Sequence, residues 1–200
     1  MIKKHPIFWL LVTLIALSLF GTGCTSGYEF KGSRLEPPLA LPDFELMATD
    51  GRPFHLSDVQ GDYALIYFGY TFCPDVCPLT MADVRQALTG LEGRDRVHVI
   101  FISVDPERDT PDVLGRYVKA FGPDFIGLTD DFTKTQAVMK AYGAFAEKED
   151  APDSAAGYLM SHTARLYLVG PERNLLATYS FGFKPEELRS DLTYLLQQKN

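Results

Sequence analysis

The stretch "YALIYFGYTFCPDVCPLTMADVRQALTGLEGRDRVHVIFISV", Tyr63 to Val104, decides the fold. Its ends, YALIYFG and VHVIFISV, are near-continuous runs of β-branched, aliphatic and aromatic residues. That is the pattern of central strands covered on both faces, not of half-buried strands that alternate. Between them Met81, Val84, Leu88 and Leu91 recur at helical spacing and make one apolar stripe. Strand, helix and strand in this order form a β-α-β unit, with the helix as crossover.

Working outward, "FELMATDGRPFHL" places apolar runs on either side of Asp50-Gly51, a hairpin signal. After Val104, "TPDVLGRYVKAF" predicts a helix capped by Thr110 with Pro111 at its first position. A further helix is predicted from Thr133 to Tyr142, then an acidic, small-residue loop from Glu147 to Ala156. Strands "ARLYLV" and "LLATYS" follow, and a closing helix from Pro185 to Gln198. There is no internal repeat. Hairpin, βαβ, two helices, two strands and a helix predict a thioredoxin-like α/β fold: a central mixed sheet flanked by helices on both faces, with an N-terminal β-hairpin.

The chain has 200 residues, 46% hydrophobic and 22% charged, which fits one domain plus an appendage. Its formal charge is −7, and Lys3 and Lys4 are the only charged residues before Cys24, so the remainder is more acidic than the whole. No basic face is available for phosphates, which argues against nucleic acid as a partner.

The appendage is N-terminal. Lys3 and Lys4 precede an uncharged, mostly apolar run from Ile7 to Phe20 and then "GTGC", the layout of an export signal. Cys24 after Gly23 resembles the acceptor of a bacterial lipoprotein signal, although Gly21 stands where such signals usually carry Leu. The other reading is an uncleaved anchor from Ile7 to Gly23. Both leave the lysines inside and the domain at the cell membrane facing the periplasm or exterior. Residues 25–42, with three prolines and no period, read as a tether, which leaves 43–200 as the folded domain.

The βαβ unit locates Cys73 and Cys77 in the turn after its first strand, where open α/β sheets put their ligand sites. Pro78 suits the first helical position, with Cys77 as cap and Cys73 in the loop. A thiol at a helix mouth is acidified by the positive end of the helix. The pair fits a structural disulfide, a redox dithiol or two arms of a metal clamp. Three intervening residues are one more than thioredoxin-type pairs use. A peroxidase reading lacks the hydroxyl that peroxiredoxins place three residues before the attacking cysteine, since Tyr70 and Pro74 stand there. A clamp needs a third ligand. Of the four histidines, His5 lies in the signal, and His55 and His98 sit at strand ends as ordinary polar residues. His162 stands where the predicted loop meets "ARLYLV", a junction the topology brings near the cysteines.

"FGYTFCPDVCPLT", "VIFISVDPERDTPDVL" and "SHTARLYLVGPE", in this order, resemble the Sco/SenC family of copper-binding proteins that assist cytochrome c oxidase assembly. The similarity runs from about Leu41 to about Tyr194. It implies that Cys73, Cys77 and His162 hold copper, as Cu(I) or Cu(II), in a carrier that is not an enzyme and serves a copper-site subunit of cytochrome c oxidase. Family members have also been proposed as thiol-disulfide oxidoreductases, the alternative for the same cysteines. Ser161 stands where the family commonly has Asp. Met160 is a packing residue or a soft extra ligand, and Asp105 an outer acceptor for the site or an Asp-Pro turn starter. Mobility of the loop up to Ser161 would let His162 swing. In an oxidising compartment the two thiols would pair, so a thioredoxin-like reductant is an expected partner.

Overall fold

The computed structural model describes residues 28–151 and 157–198. The signal, His5 and Cys24 lie outside the described residues.

β4 (Tyr63–Gly69) and β5 (Val97–Ser103) pair in parallel in unbroken register from Tyr63↔Val97 to Gly69↔Ser103. Every residue of β4 is buried, so both of its faces are covered, as its run of Ala64, Leu65, Ile66 and Tyr67 requires. α1 (Val76–Leu88) crosses between them and buries Met81, Val84 and Leu88. Full burial of an aliphatic side chain is worth about 1.5–3 kcal/mol, so this stripe fixes the helix to the sheet.

The central sheet has six strands in the order β1-β10-β9-β4-β5-β6, with β1 (Ser33–Ala40), β6 (Ile126–Leu128), β9 (Arg165–Val169) and β10 (Asn174–Ser180) around the parallel pair. β9 and β10 run antiparallel to their neighbours, so the sheet is mixed. β2 (Glu45–Met47) and β3 (Pro53–His55) form the expected hairpin, its turn made by Gly51 at φ +82 and by the Asp50 carboxylate accepting from Arg52 N–H. α2 (Pro111–Phe121) opens on Thr110, whose hydroxyl accepts from Val113 N–H as a cap. α3 (Phe132–Ala141) begins at Asp131, which accepts from Thr133 N–H. α4 (Pro185–Gln197) packs on α1. Among the described residues no helix is long and apolar enough to cross a membrane.

Two expectations change. The stretch 25–42 is not tether throughout: Ser33–Ala40 is an edge strand of the main sheet, paired antiparallel with β10. Pro37 and Pro38 hid it, because proline cannot donate to a ladder; here they fall where the register shifts between Arg34 and Leu39 and no ladder donor is needed. The segment Glu147–Ser161 is not a plain loop. β7 (Ala146–Asp150) and β8 (Tyr158–His162) pair antiparallel as a two-stranded sheet. β7 reads AEKED, with no apolar alternation to announce a strand.

Candidate metal centre

The site begins where β4 ends. A Cβ on Gly69 would meet Tyr67 Cε1 at 2.7 Å, Phe101 Cζ at 2.9 Å and Cys77 Sγ at 3.1 Å, so only glycine lets the Cys77 sulfur sit against this backbone. The loop leaving Gly69 is pinned by Asp109. This fully buried carboxylate accepts from Thr71 N–H at 3.1 Å, from Thr71 Oγ1 at 2.6 Å and from Ser103 Oγ at 2.6 Å. Burial pushes the Asp109 carboxyl above its usual range, against the pull of those three donors.

Cys73 lies in the loop, as expected, and Cys77 does not cap the helix. α1 starts at Val76, so Cys77 is inside its first turn, not its cap, and Pro78 is its third residue. The first helical N–H groups have no intrahelical acceptor, so proline costs nothing there. Cys73 Sγ takes the capping place, 3.4 Å from Cys77 N–H. Its thiol is held well below the ordinary cysteine range, first by the hydrogen bond from the Cys77 thiol, against burial, with help from His162 and the N–H groups of Asp75 and Cys77. The same bond and burial push Cys77 up. The pair therefore shares one proton, carried by Cys77.

His162 ends β8 and comes over both sulfurs. Its Nε2 lies 3.5 Å from Cys77 Sγ, and donor atoms of Cys73, Cys77 and His162 all lie within 4.8 Å of one another. The ring stands edge-on to Tyr67 and Tyr70, with centroids at 6.1 and 5.8 Å. Tyr67 O–H points at Cys77 Sγ from 3.8 Å. Both cysteines are free thiols. His162 Nδ1 is buried with no hydrogen-bond partner among the described residues. A ligating imidazole usually gives that N–H to an acceptor; Ser161, one residue away on the strand, does not supply one. Two sulfurs and one nitrogen, turned toward one point, suit a soft or borderline metal ion.

The hairpin that carries His162 is tied to the loop after β5 by hydrogen bonds and a stacked guanidinium. Tyr158 O–H donates to Asp105 Oδ1 at 2.8 Å, and Arg108 joins Asp105 Oδ2 at 2.5 Å while its Nη1 donates to Tyr158 C=O at 3.1 Å. The Arg108 guanidinium stacks 3.6 Å from the Tyr158 ring centroid and 4.9 Å from that of Phe72. Asp105 is thus tied to the site through Tyr158 and touches neither cysteine, one strand away from direct contact. Met160 is buried in the core, as a packing residue should be. His55 pairs with Glu45 and His98 with Asp62, away from the sulfurs. Asp109, Arg108 and Tyr158 were not singled out from sequence. The signal was "DPERDT", three acids and an arginine just after a buried strand, which needs buried partners.

A model of the SCO1/SenC family matches residues 33–197. A putative copper-binding protein of Stutzerimonas stutzeri is 32% identical over 162 residues, covering 80% of this chain and 78% of that one. Among solved structures, Arabidopsis thaliana ScoI with copper bound is 32% identical with a TM-score of 0.73, covering 80% of this chain and 99% of its own. Bradyrhizobium japonicum ScoI with copper bound is 35% identical with a TM-score of 0.69, covering 78% and 98%.

Proposed function

The chain belongs to the SCO1/SenC family, and on that premise we propose that it is a copper carrier whose ion is held by Cys73, Cys77 and His162. One observation carries this reading: two free thiols and an imidazole converge within 4.8 Å. Copper bound in two related structures supports the choice of metal. The copper is cargo here, not a resident cofactor. Cu(I) is satisfied by the two sulfurs, whereas Cu(II) prefers the added nitrogen, so the set accepts both states. The Cys73 thiolate is ready to take the ion, and the shared proton leaves Cys77 as the second sulfur binds.

Delivery to a copper-site subunit of cytochrome c oxidase is the acceptor step we propose from the family resemblance. We place the domain outside the cell membrane, anchored through its N-terminus at Cys24, with a thioredoxin-like reductant keeping the thiols open. No chemical turnover is required of it. A specific observation favours a second reading, thiol-disulfide exchange: Cys73 is acidified and keeps 8% exposure, while Cys77 has none, the division of labour of an attacking and a resolving thiol.

The test is metal content. The reduced full-length chain should bind one copper per chain, and Cys73→Ser or Cys77→Ser should abolish it, because one thiolate does not hold Cu(I) against competing thiols. Full copper retention in either variant would sink the clamp.

A further inference from the structure

The hairpin that carries His162 has two outer edges, and they differ. Thr163 N–H donates to Phe145 C=O and Ala151 N–H to Gly157 C=O, which sets the phase of the ladder. Phe145, Glu147, Glu149 and Ala151 therefore turn their backbone groups toward β8, and Ala146, Lys148 and Asp150 turn theirs outward. On the β8 side Arg108 covers one outward group by donating to Tyr158 C=O. On the β7 side, among the described residues, nothing pairs the outward groups.

Beside that open edge runs a groove. Two cavities of about 370 and 520 Å³ share Gln136 and Ala146 as wall residues. One wall is consecutive chain, 144–148, as an edge presents itself; a strand face would offer every second residue. Facing it is one side of α3, from Phe132 to Lys140, and at the first cavity the segment 104–107 and Met160 of β8 complete the lining. Phe145 is 57% exposed at the groove's end.

We propose that the β7 edge is a docking site for an extended, basic segment of a partner protein, which adds a third strand to the β7–β8 sheet and lays alternate side chains into the groove. Charge selects this occupant. Glu147, Glu149 and Asp150 are exposed, and the one cation among them, Lys148, is engaged by Glu107 at 2.8 Å and by the Tyr158 ring at 3.9 Å. A second copy of this chain, pairing β7 to β7, would set these acids against one another, which is unfavourable across strands. A lysine- or arginine-bearing strand meets them with opposite charge. The inference stands on the edge and the groove and holds whether or not the metal reading does.

The probe is a short synthetic peptide alternating lysine and valine, with a glutamate–valine peptide as control, added to the full-length copper-free chain. Amide exchange by NMR is the readout. In the free chain Ala146, Lys148 and Asp150 should exchange fast and Glu147 and Glu149 slowly. The basic peptide should slow the first three by about tenfold or more, and the acidic one should not. Lys148→Pro deletes an outward N–H without removing a ladder bond, and should abolish the effect while Glu147 and Glu149 stay protected. Slow exchange of Ala146, Lys148 and Asp150 in the free chain overturns the proposal, as does equal protection by the acidic peptide or protection at another edge. If Lys148→Pro loosens the hairpin, the wild-type exchange pattern still decides. Copper content, measured on parallel samples, reports separately on the carrier reading.

Discussion

Cys73 and Cys77 show how two identical side chains four residues apart acquire different chemistry. Cys73 Sγ receives the Cys77 N–H at the mouth of α1, and Cys77 sits inside the first turn against Gly69. Their spacing and their place after β4 were legible in "YFGYTFCPDVCPLT". Which of them becomes the thiolate was not, because that depends on where the helix begins, and Pro78 fits the third position as well as the first. The difference is measurable. An ordinary cysteine alkylates about tenfold faster for each pH unit gained below its pKa, as thiolate fraction grows. Cys73 is already thiolate well below that range, so its iodoacetamide rate should be flat between about pH 6 and pH 8. Cys77, pushed up, should stay unmodified until Cys73 is blocked. Mass-spectrometric mapping of the alkylated cysteine decides. A Cys73 rate that climbs with pH like a free thiol's contradicts the proton sharing.

At the level of elements, the β7–β8 hairpin is the piece that sequence left unread, and it is the piece that brings His162 to the sulfurs. AEKED carries no period of two, and the sequence between the two strands, APDSAAG, is made mostly of small residues. The strands exist because tertiary contacts hold them: the Tyr158 hydroxyl on Asp105 and the Arg108 guanidinium over the Tyr158 ring. His162 itself was found, because its position in "SHTARLYLVGPE" and the order of strands pointed to it. Two variants separate ligand from support. His162→Ala should weaken Cu(II) far more than Cu(I), with loss of nitrogen coupling in electron paramagnetic resonance. Tyr158→Phe removes the short hydrogen bond to Asp105 and a long one, 3.5 Å, to Glu107, and keeps the ring. It should retain the nitrogen coupling and weaken Cu(II) by roughly tenfold, the cost of one charge-assisted bond to the hairpin. Unchanged nitrogen coupling in His162→Ala would assign the nitrogen to another residue.

Across the whole molecule, the central βαβ unit and the mixed sheet followed from hydrophobic patterning alone, since Tyr63–Gly69 and Val97–Ser103 are buried nearly throughout. The edge strand β1 did not, since its residues are mostly exposed and its prolines argue against pairing. What holds the chain's first described residues to the domain is Asp191 on α4. It is fully buried and accepts from Tyr28 O–H at 2.7 Å, Tyr179 O–H at 2.7 Å, Lys31 N–H at 2.9 Å and Gly32 N–H at 2.9 Å. Tyr28 also stacks on Tyr194, with centroids 4.1 Å apart. Asp191→Ala leaves these donors without an acceptor and should cost about 3 kcal/mol. For a domain of this size that is a fall in Tm of roughly 6–12 °C. Thermal unfolding of the variant is the check, and a loss under about 1 kcal/mol would mean that water replaces the carboxylate.

The Asp191 clasp also sets a working radius. With the anchor we propose at Cys24, four peptide steps separate it from Tyr28, a span of at most about 14 Å, where a span to Pro42 would have reached about 60 Å. A domain held that short patrols a thin layer above the bilayer and meets partners in two dimensions, at heights the membrane dictates. On that proposal distance is a selection rule for the acceptor: a metal-receiving site would have to lie within reach of a domain held close to the lipid. Inserting a flexible Gly-Ser segment between Ser26 and Gly27 leaves the clasp and the sulfurs untouched, so copper content should not change, while delivery in cells should fall as the domain is released from that layer. Undiminished delivery with the long leash would show that height is not part of the recognition.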